Sequence, residues 1–363
     1  MSDVNITTGA AITAEQFMDS AFREYKDKLV TRPYMGTTSE FPIQVNQELV
    51  KRKGDAITFN LAGALSGTGV TGSTTLEGAE EAQQFYGHRV EVDQARNAIR
   101  VPWMSEQRAP FAVMNEAKPA LTTWMAQLVE DKIFEALASI QGTVYGSASE
   151  GTKDTWLADN ADRVLFGAAT SNNSANDHSA SLANIDSTND ILTVDQITLA
   201  KRLAILADPK IRPIRIENGE EYFVLFAHPY CVRDLKNSDD WLAAQRDAMP
   251  RGTDNPIFTG MAGIWDGVII KETPKCLLLS GVGAGSINVA ANFLCGAQAV
   301  LFGQAGTPKG YVVDMVEEEF DYGDKSGVAI RSVFGIEKAV FKTNGTNPCQ
   351  HGVVTVYSAA VAD

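Results

Sequence analysis

The stretch that most constrains this chain is one that cannot be buried within it. Residues 65–85, LSGTGVTGSTTLEGAEEAQQF, are rich in Gly, Thr and Glu and poor in large apolar side chains. Strand-like runs flank them: GDAITFNL (54–61) alternates with the period of a strand, and YGHRVEVDQARNAIRVP (86–102) carries two more runs around Val90, Val92, Ile99 and Val101. Loops above about 12–15 residues are uncommon in compact domains. A hairpin over 54–102 with so long and polar a tip is therefore predicted to project from the body. Opposite charges mark its two ends, with Lys51, Arg52 and Lys53 before it and Glu77, Glu80 and Glu81 at its tip. Such a pattern predicts contacts with a neighbouring molecule, because charge complementarity sets register and partner choice. A second carboxylate cluster, Glu317, Glu318, Glu319 and Asp321, is predicted to be a solvated or intersubunit face.

The rest of the chain has the means to build the body. At 363 residues and 44% hydrophobic it is too apolar for disorder. It also exceeds the roughly 250–300 residues at which single cores stop growing. Residues 14–29 have the apolar spacing of an amphipathic helix, with Phe17, Phe22 and Leu29 on one face and Thr13 as cap. An extended segment with two prolines follows at 31–45. The strongest helix is predicted over 119–140, with Pro119 in its first turn and Leu121, Trp124, Met125, Leu128, Phe134 and Leu137 at three- and four-residue steps. Residues 142–190 lose periodicity, and SNNSANDHSASLANIDSTND (171–190) reads as a surface insertion or mobile loop. A capping box, TVDQ (193–196), opens a helix over 194–207. A hairpin over 212–227 turns at Asn218-Gly219, a helix is predicted over 230–248, and strands near 267–271, 276–280 and 297–303. The stretch 310–342 reads as three strands broken at 321–327 and at Gly335.

Several kinds of chemistry are excluded. A formal net charge of −14 is the wrong sign for a protein that grips phosphates. Cys231, Cys276, Cys295 and Cys349 show no CxxC pair, and His88, His178, His228 and His351 are equally scattered, so no metal site is predicted. His228, followed by Pro229, reads as a turn residue. GTGVTG (67–72) matches a dinucleotide fingerprint by letter, but no buried strand precedes it and no apolar helix follows. No cofactor and no catalytic residue is predicted. Residues 276–308 contain no Asp, Glu, Lys or Arg, yet their glycines and amides fit short buried strands better than a membrane span. A soluble protein is expected, without a secretory signal.

In its order of parts the chain resembles the major capsid proteins of tailed bacteriophages, of the α+β HK97-type fold that encapsulin compartments share. GDAITFNL (54–61), LEGAEE (76–81), MSEQRAPFAV (104–113), FTGMAGIWDGVIIKE (258–272), GAQAVLFGQAG (296–306) and EEEFDYGDKSGVAIRSVFGIEKAVF (317–341) are similar to the subfamily of N-four-like phages. The resemblance implies an N-terminal arm (1–53), an extended loop (54–102), a peripheral domain with a long spine helix (103–192 and 307–345), an axial domain (193–306) and a C-terminal tail (346–363). It implies that copies of the chain form hexamers and pentamers of an icosahedral head, assembled in the host cytoplasm. That head would enclose double-stranded DNA without reading its sequence. Scaffold, portal and decoration proteins are further implied partners. The alternatives are an encapsulin-like shell around a protein cargo, or an oxidoreductase using GTGVTG.

Overall fold

The structure, a computed structural model, describes residues 29–50, 54–65, 67, 69–73, 75–109, 112–215, 220–248, 263–344 and 347–362. The arm helix predicted from residue 14, the Lys51–Arg52–Lys53 run and the Asn218-Gly219 turn lie outside them.

In chain order the described elements are β1 (Met35–Gly36), β2 (Ile43–Leu49), β3 (Ala56–Ala62), β4 (Phe85–Glu91), β5 (Asp93–Pro102), α1 (Trp103–Arg108), α2 (Val113–Ala138), α3 (Glu150–Asp159), β6 (Val164–Phe166), α4 (His178–Ala183), α5 (Val194–Leu206), β7 (Ile214–Arg215), β8 (Glu221–Ala227), α6 (Pro229–Asn237), α7 (Asp239–Ala248), β9 (Gly263–Trp265), β10 (Val268–Glu272), β11 (Leu278–Leu279), β12 (Val289–Cys295), β13 (Val300–Ala305), β14 (Val313–Phe320), β15 (Lys325–Lys338), β16 (Val340–Asn344), β17 (Asn347–Gln350) and β18 (Val353–Ala359). None of the helices among the described residues is long and apolar enough to cross a membrane.

The first sheet is organised around β15. Its one edge pairs with β5 over residues 325–334, while the other is shared by β14 over 325–332 and β13 over 333–338. β13 continues to β2 and β1. α2 lies on this sheet, with Ala117, Leu121 and Met125 packed against Val328 and Ile330. Met114 joins the same cluster, which is why the helix starts at Val113 rather than at Pro119. Burying Met114 and Ala117 outweighs the one backbone hydrogen bond that Pro119 cannot donate. At the other end, the fully buried Lys338 donates from Nζ to Leu137 O and Ser139 O at 3.1 and 2.6 Å. A cation suits the carbonyl end of a helix, although burial pushes the Lys338 pKa down to about 7.

The second sheet runs β6-β18-β12-β8-β10-β9, with β11 on β12 and β7 on β8. All seven residues of β12 and of β18 are buried. In β12, Val289, Ala291, Phe293 and Cys295 enter the core shared with α2 and α3, while Ala290 and Leu294 face α5 and α6. Both faces are covered, so both parities are apolar. Residues 353–359, expected in a tail, are thus an interior strand between β6 and β12.

The polar stretch 142–190 is not a loose insertion either. It contributes α3, β6 and α4, and buries Trp156, Leu157, Val164, Leu165, Phe166, Leu182 and Ile185. Its small polar residues serve the backbone: Ser149 caps α3, Asp177 caps α4, and the buried Asp190 accepts from the Ala168 and Asp186 N–H groups. Composition marked these residues as loop, and capping is why helices need them.

The segment 193–306, expected as one unit, gives β13 to the first sheet. The core formed by Phe166, Phe226 and Phe293 also takes in Ile43, Val300 and Phe302 of that sheet. α5 begins as predicted, with Thr193 Oγ1 accepting from the Gln196 N–H. The helix predicted over 230–248 breaks at Ser238 into α6 and α7, and His228 caps α6 by accepting from the Tyr230 N–H. The break predicted at Gly335 does not occur, since β15 runs through it without interruption.

His351 sits against Phe341 with its ring edge-on, and burial pushes its pKa down to about 4, with Arg163 and Arg212 adding to the shift. A depressed histidine stabilises the fold above its unfolded value of about 6.5. That contribution is lost as the pH falls through about 4, because the unfolded chain takes the proton first. The loss amounts to roughly 3 kcal/mol at the acid end. Melting temperatures of the wild type should therefore fall between pH 6.5 and 4, and His351→Leu should show a flatter profile over that window.

Candidate assembly surface

The hairpin predicted over 54–102 divides into an anchored base and a free tip. β3 and β4 pair in register from Ala56↔Glu91 to Ala62↔Phe85, and the Gly63 N–H closes the ladder on Gln84 O at 2.8 Å. Ile57, Phe59 and Val90 are buried against Leu301, Ala339 and Phe341. β5 belongs to the first sheet outright. Beyond the ladder, none of the described residues of 63–84 is buried. The expectation of a wholly projecting ribbon is corrected accordingly: the alternating apolar residues of 54–61 and 86–102 had a face to bury, and they bury it at home.

A pair of glycines sets how the base crosses the sheet. Gly303 of β13 and Gly335 of β15 stand opposite each other across the ladder. A Cβ on Gly335 would overlap the Glu91 carbonyl oxygen and stand 3.0 Å from Val90, and one on Gly303 would stand 3.1 Å from Ile57. Side chains are missing here so that β3 and β4 can lie on the strand backbones. Gly335 therefore marks a close approach within a continuous strand, not an interruption. Nothing in the run of residues around either glycine points to this role, since only the crossing of β4 over β15 gives it meaning.

The charged residues singled out in the sequence fall on separate elements. Glu77 is exposed on the tip. Glu80 accepts from the Gly78 N–H at 2.8 Å and Glu81 from the Gly67 N–H at 2.7 Å, so both brace the loop's own backbone. Glu317 pairs with Lys118 of α2 at 2.6 Å, while Glu318 and Glu319 line β14 and Asp321 opens the turn after it. Gly67 to Gly72, the dinucleotide look-alike, lies in the exposed tip with no helix among its described residues. No group of three or more His, Cys, Asp or Glu among the described residues could hold a metal. An open groove of about 450 Å³ beside α2 contains Asp131 and Lys275, which pair with each other.

This fold, an anchored hairpin with an exposed tip set on two sheets over a long helix, is shared with solved capsids. The capsid subunit of cyanophage Pam1 superposes with a TM-score of 0.85 at 31% identity over 100% of both chains. That of Ralstonia phage GP4 gives 0.78 at 26% identity over 99% of each. The capsid of Helicobacter pylori phage KHP30, at 15% identity, has the same fold with a TM-score of 0.69. The class is the HK97-type shell subunit. A family model described as phage capsid protein matches residues 5–362, and the major capsid protein of Pseudomonas phage KPP25 is 28% identical over 98% of both chains. The chain belongs to the phage capsid protein family.

Proposed function

We propose that this chain is the major capsid subunit of a tailed phage, and that many copies close as hexamers and pentamers into an icosahedral head around double-stranded DNA. The observation that carries this reading is the exposed tip 63–84 on a base held in the chain's own core, in a chain matched over its whole length by capsid subunits. Its role is structural rather than enzymatic, and its place is the virion, assembled in the host cytoplasm. The arm and tip reach over adjacent subunits, the first sheet with α2 forms the peripheral part, and the second sheet forms the part around the symmetry axes. Scaffold, portal and decoration proteins join the same particle. A net charge of −14 suits a wall that must hold DNA without immobilising it.

Lys51, Arg52 and Lys53 are assigned to contacts with the carboxylates of a neighbour, from Glu77, Glu80 and Glu81 or from Glu317, Glu318, Glu319 and Asp321. The test is a charge exchange. Glu77→Lys with Glu80→Lys should lower shell yield in sedimentation, and adding Lys51→Glu with Lys53→Glu should restore it. Double loss without restoration would detach these residues from one another. Negative-stain images of the expressed chain should show closed shells, and a chain that stays monomeric at every concentration would end the capsid reading. Particles filled with a protein cargo instead of DNA would favour the encapsulin-like alternative.

A further inference from the structure

At one end of the first sheet three strands stop together. Pro102 of β5 and Phe320 of β14 both stand opposite Lys325 of β15, and the Trp103 N–H donates to Asp324 O at 2.7 Å. The large side chains at this end are uncovered: Trp103 is 58% exposed, Met104 49%, and Tyr322 is as open as in an isolated peptide at 109%. Phe320 lies over Gly327, where a Cβ would come within 2.8 Å of its ring, and the Arg100 guanidinium stands 5.8 Å from the ring centre. The turn that presents Tyr322 is strained. Asp321 and Tyr322 hold φ of 55° and 54°, a left-handed conformation that residues with a β-carbon seldom adopt, before Gly323 at 89°.

We propose that this aromatic knuckle is an intersubunit contact, seated on the same face of a neighbouring copy of this chain. The proposal rests on the shell-forming reading above and names a contact within it. Tyr322 adds nothing to its own subunit's core, so its strained presentation is not repaid there. Exposed Trp and Tyr beside Arg is the composition that dominates binding energy at interfaces. The knuckle also carries both charge signs: by strand register Arg100 and Lys325 share the Phe320 face with Glu318, and Asp321 and Asp324 lie in the turn beside Tyr322. A face with apolar rings and both signs can be complementary to itself across a symmetry axis, whereas a differently charged partner would need only one sign.

Hydroxyl-radical labelling, read by mass spectrometry, tests this on the full chain. Trp103 and Tyr322 should label freely in the unassembled subunit and about fivefold less in shells made from this chain alone, as the centre of a dry contact requires. Equal labelling in both states would overturn the proposal. Protection confined to complete virions would also overturn it, by handing the knuckle to a different protein. Tyr322→Asn keeps a residue that tolerates the left-handed turn. It should leave the subunit's melting temperature unchanged and cut shell yield about tenfold, with Tyr322→Phe close to wild type. Wild-type yield from Tyr322→Asn would refute the contact while leaving the capsid reading intact. A wild-type chain that forms no shell by itself would instead overturn the reading that copies of this chain close without help, and the knuckle's role in that closure with it.

Discussion

A chain in which residues 64–83 are replaced by a two-residue Asn-Gly turn is expected to fold normally and to form no shells. The splice joins Gly63 to Gln84, which are already hydrogen bonded at the end of the β3–β4 ladder. Asn-Gly supplies the left-handed turn that a two-residue hairpin needs. None of the described residues removed is buried, so the core loses no apolar contact. Shortening the loop lowers its closure cost by about 2 kcal/mol, which makes the isolated subunit slightly more stable. What disappears is surface that only a neighbour could cover. Obligate interfaces commonly exceed about 2,000 Å², and losing a projecting element from each copy removes its share from every contact at once. Circular dichroism should show a native spectrum with an unchanged or higher melting temperature, and sedimentation should show subunits without shells. Shells of normal size and stability would mean that the tip is not what holds copies together.

Gly335→Ala is expected to be the most damaging single-methyl change in the first sheet. The new Cβ collides with the backbone oxygen of Glu91, which cannot rotate away as a side-chain end could. β15 would have to part from β4, and Ile57, Phe59 and Val90 would lift off Leu301 and Phe341. Forced overpacking of this kind costs about 3 kcal/mol. Gly151→Ala serves as the control: it lies in the first turn of α3 with nothing within 4 Å of the added carbon. It should be neutral or raise stability by about 0.5 kcal/mol. Denaturant midpoints of the two variants should therefore move apart. Because Gly335 also sets how the hairpin base crosses the sheet, the surviving folded fraction of Gly335→Ala should assemble poorly. Equal midpoints for Gly335→Ala and Gly151→Ala would show that β4 has room to move.

Signals confined to a few neighbouring residues are legible in the sequence itself. Thr193 and Gln196 announce α5, the alternation in 54–61 announces β3, and the glycine-rich polar run announces a tip that finds no cover at home. Other expectations failed where distant segments met. Val353 to Ala359 carry an apolar run that fits a tail packed anywhere, and only pairing with β6 and β12 makes it interior. Ser149, Asp177 and Asp190 look like loop residues by composition, yet each satisfies backbone N–H groups at a helix end or a turn. The knuckle at Trp103 and Tyr322 joins residues far apart in the chain, and the exposure of its rings is visible only once the strands are aligned.

Taken alone, the sequence determined the local elements, the acidic character and the presence of a segment too polar to bury, because these depend on side chains within about one helical turn or one strand alternation. The tertiary structure decided which strands are interior, where helix α2 starts, and why Gly335 is a crossing rather than a break. Those outcomes depend on covering both faces of a sheet and on how closely two backbones approach, and neither quantity is written in any short window of residues.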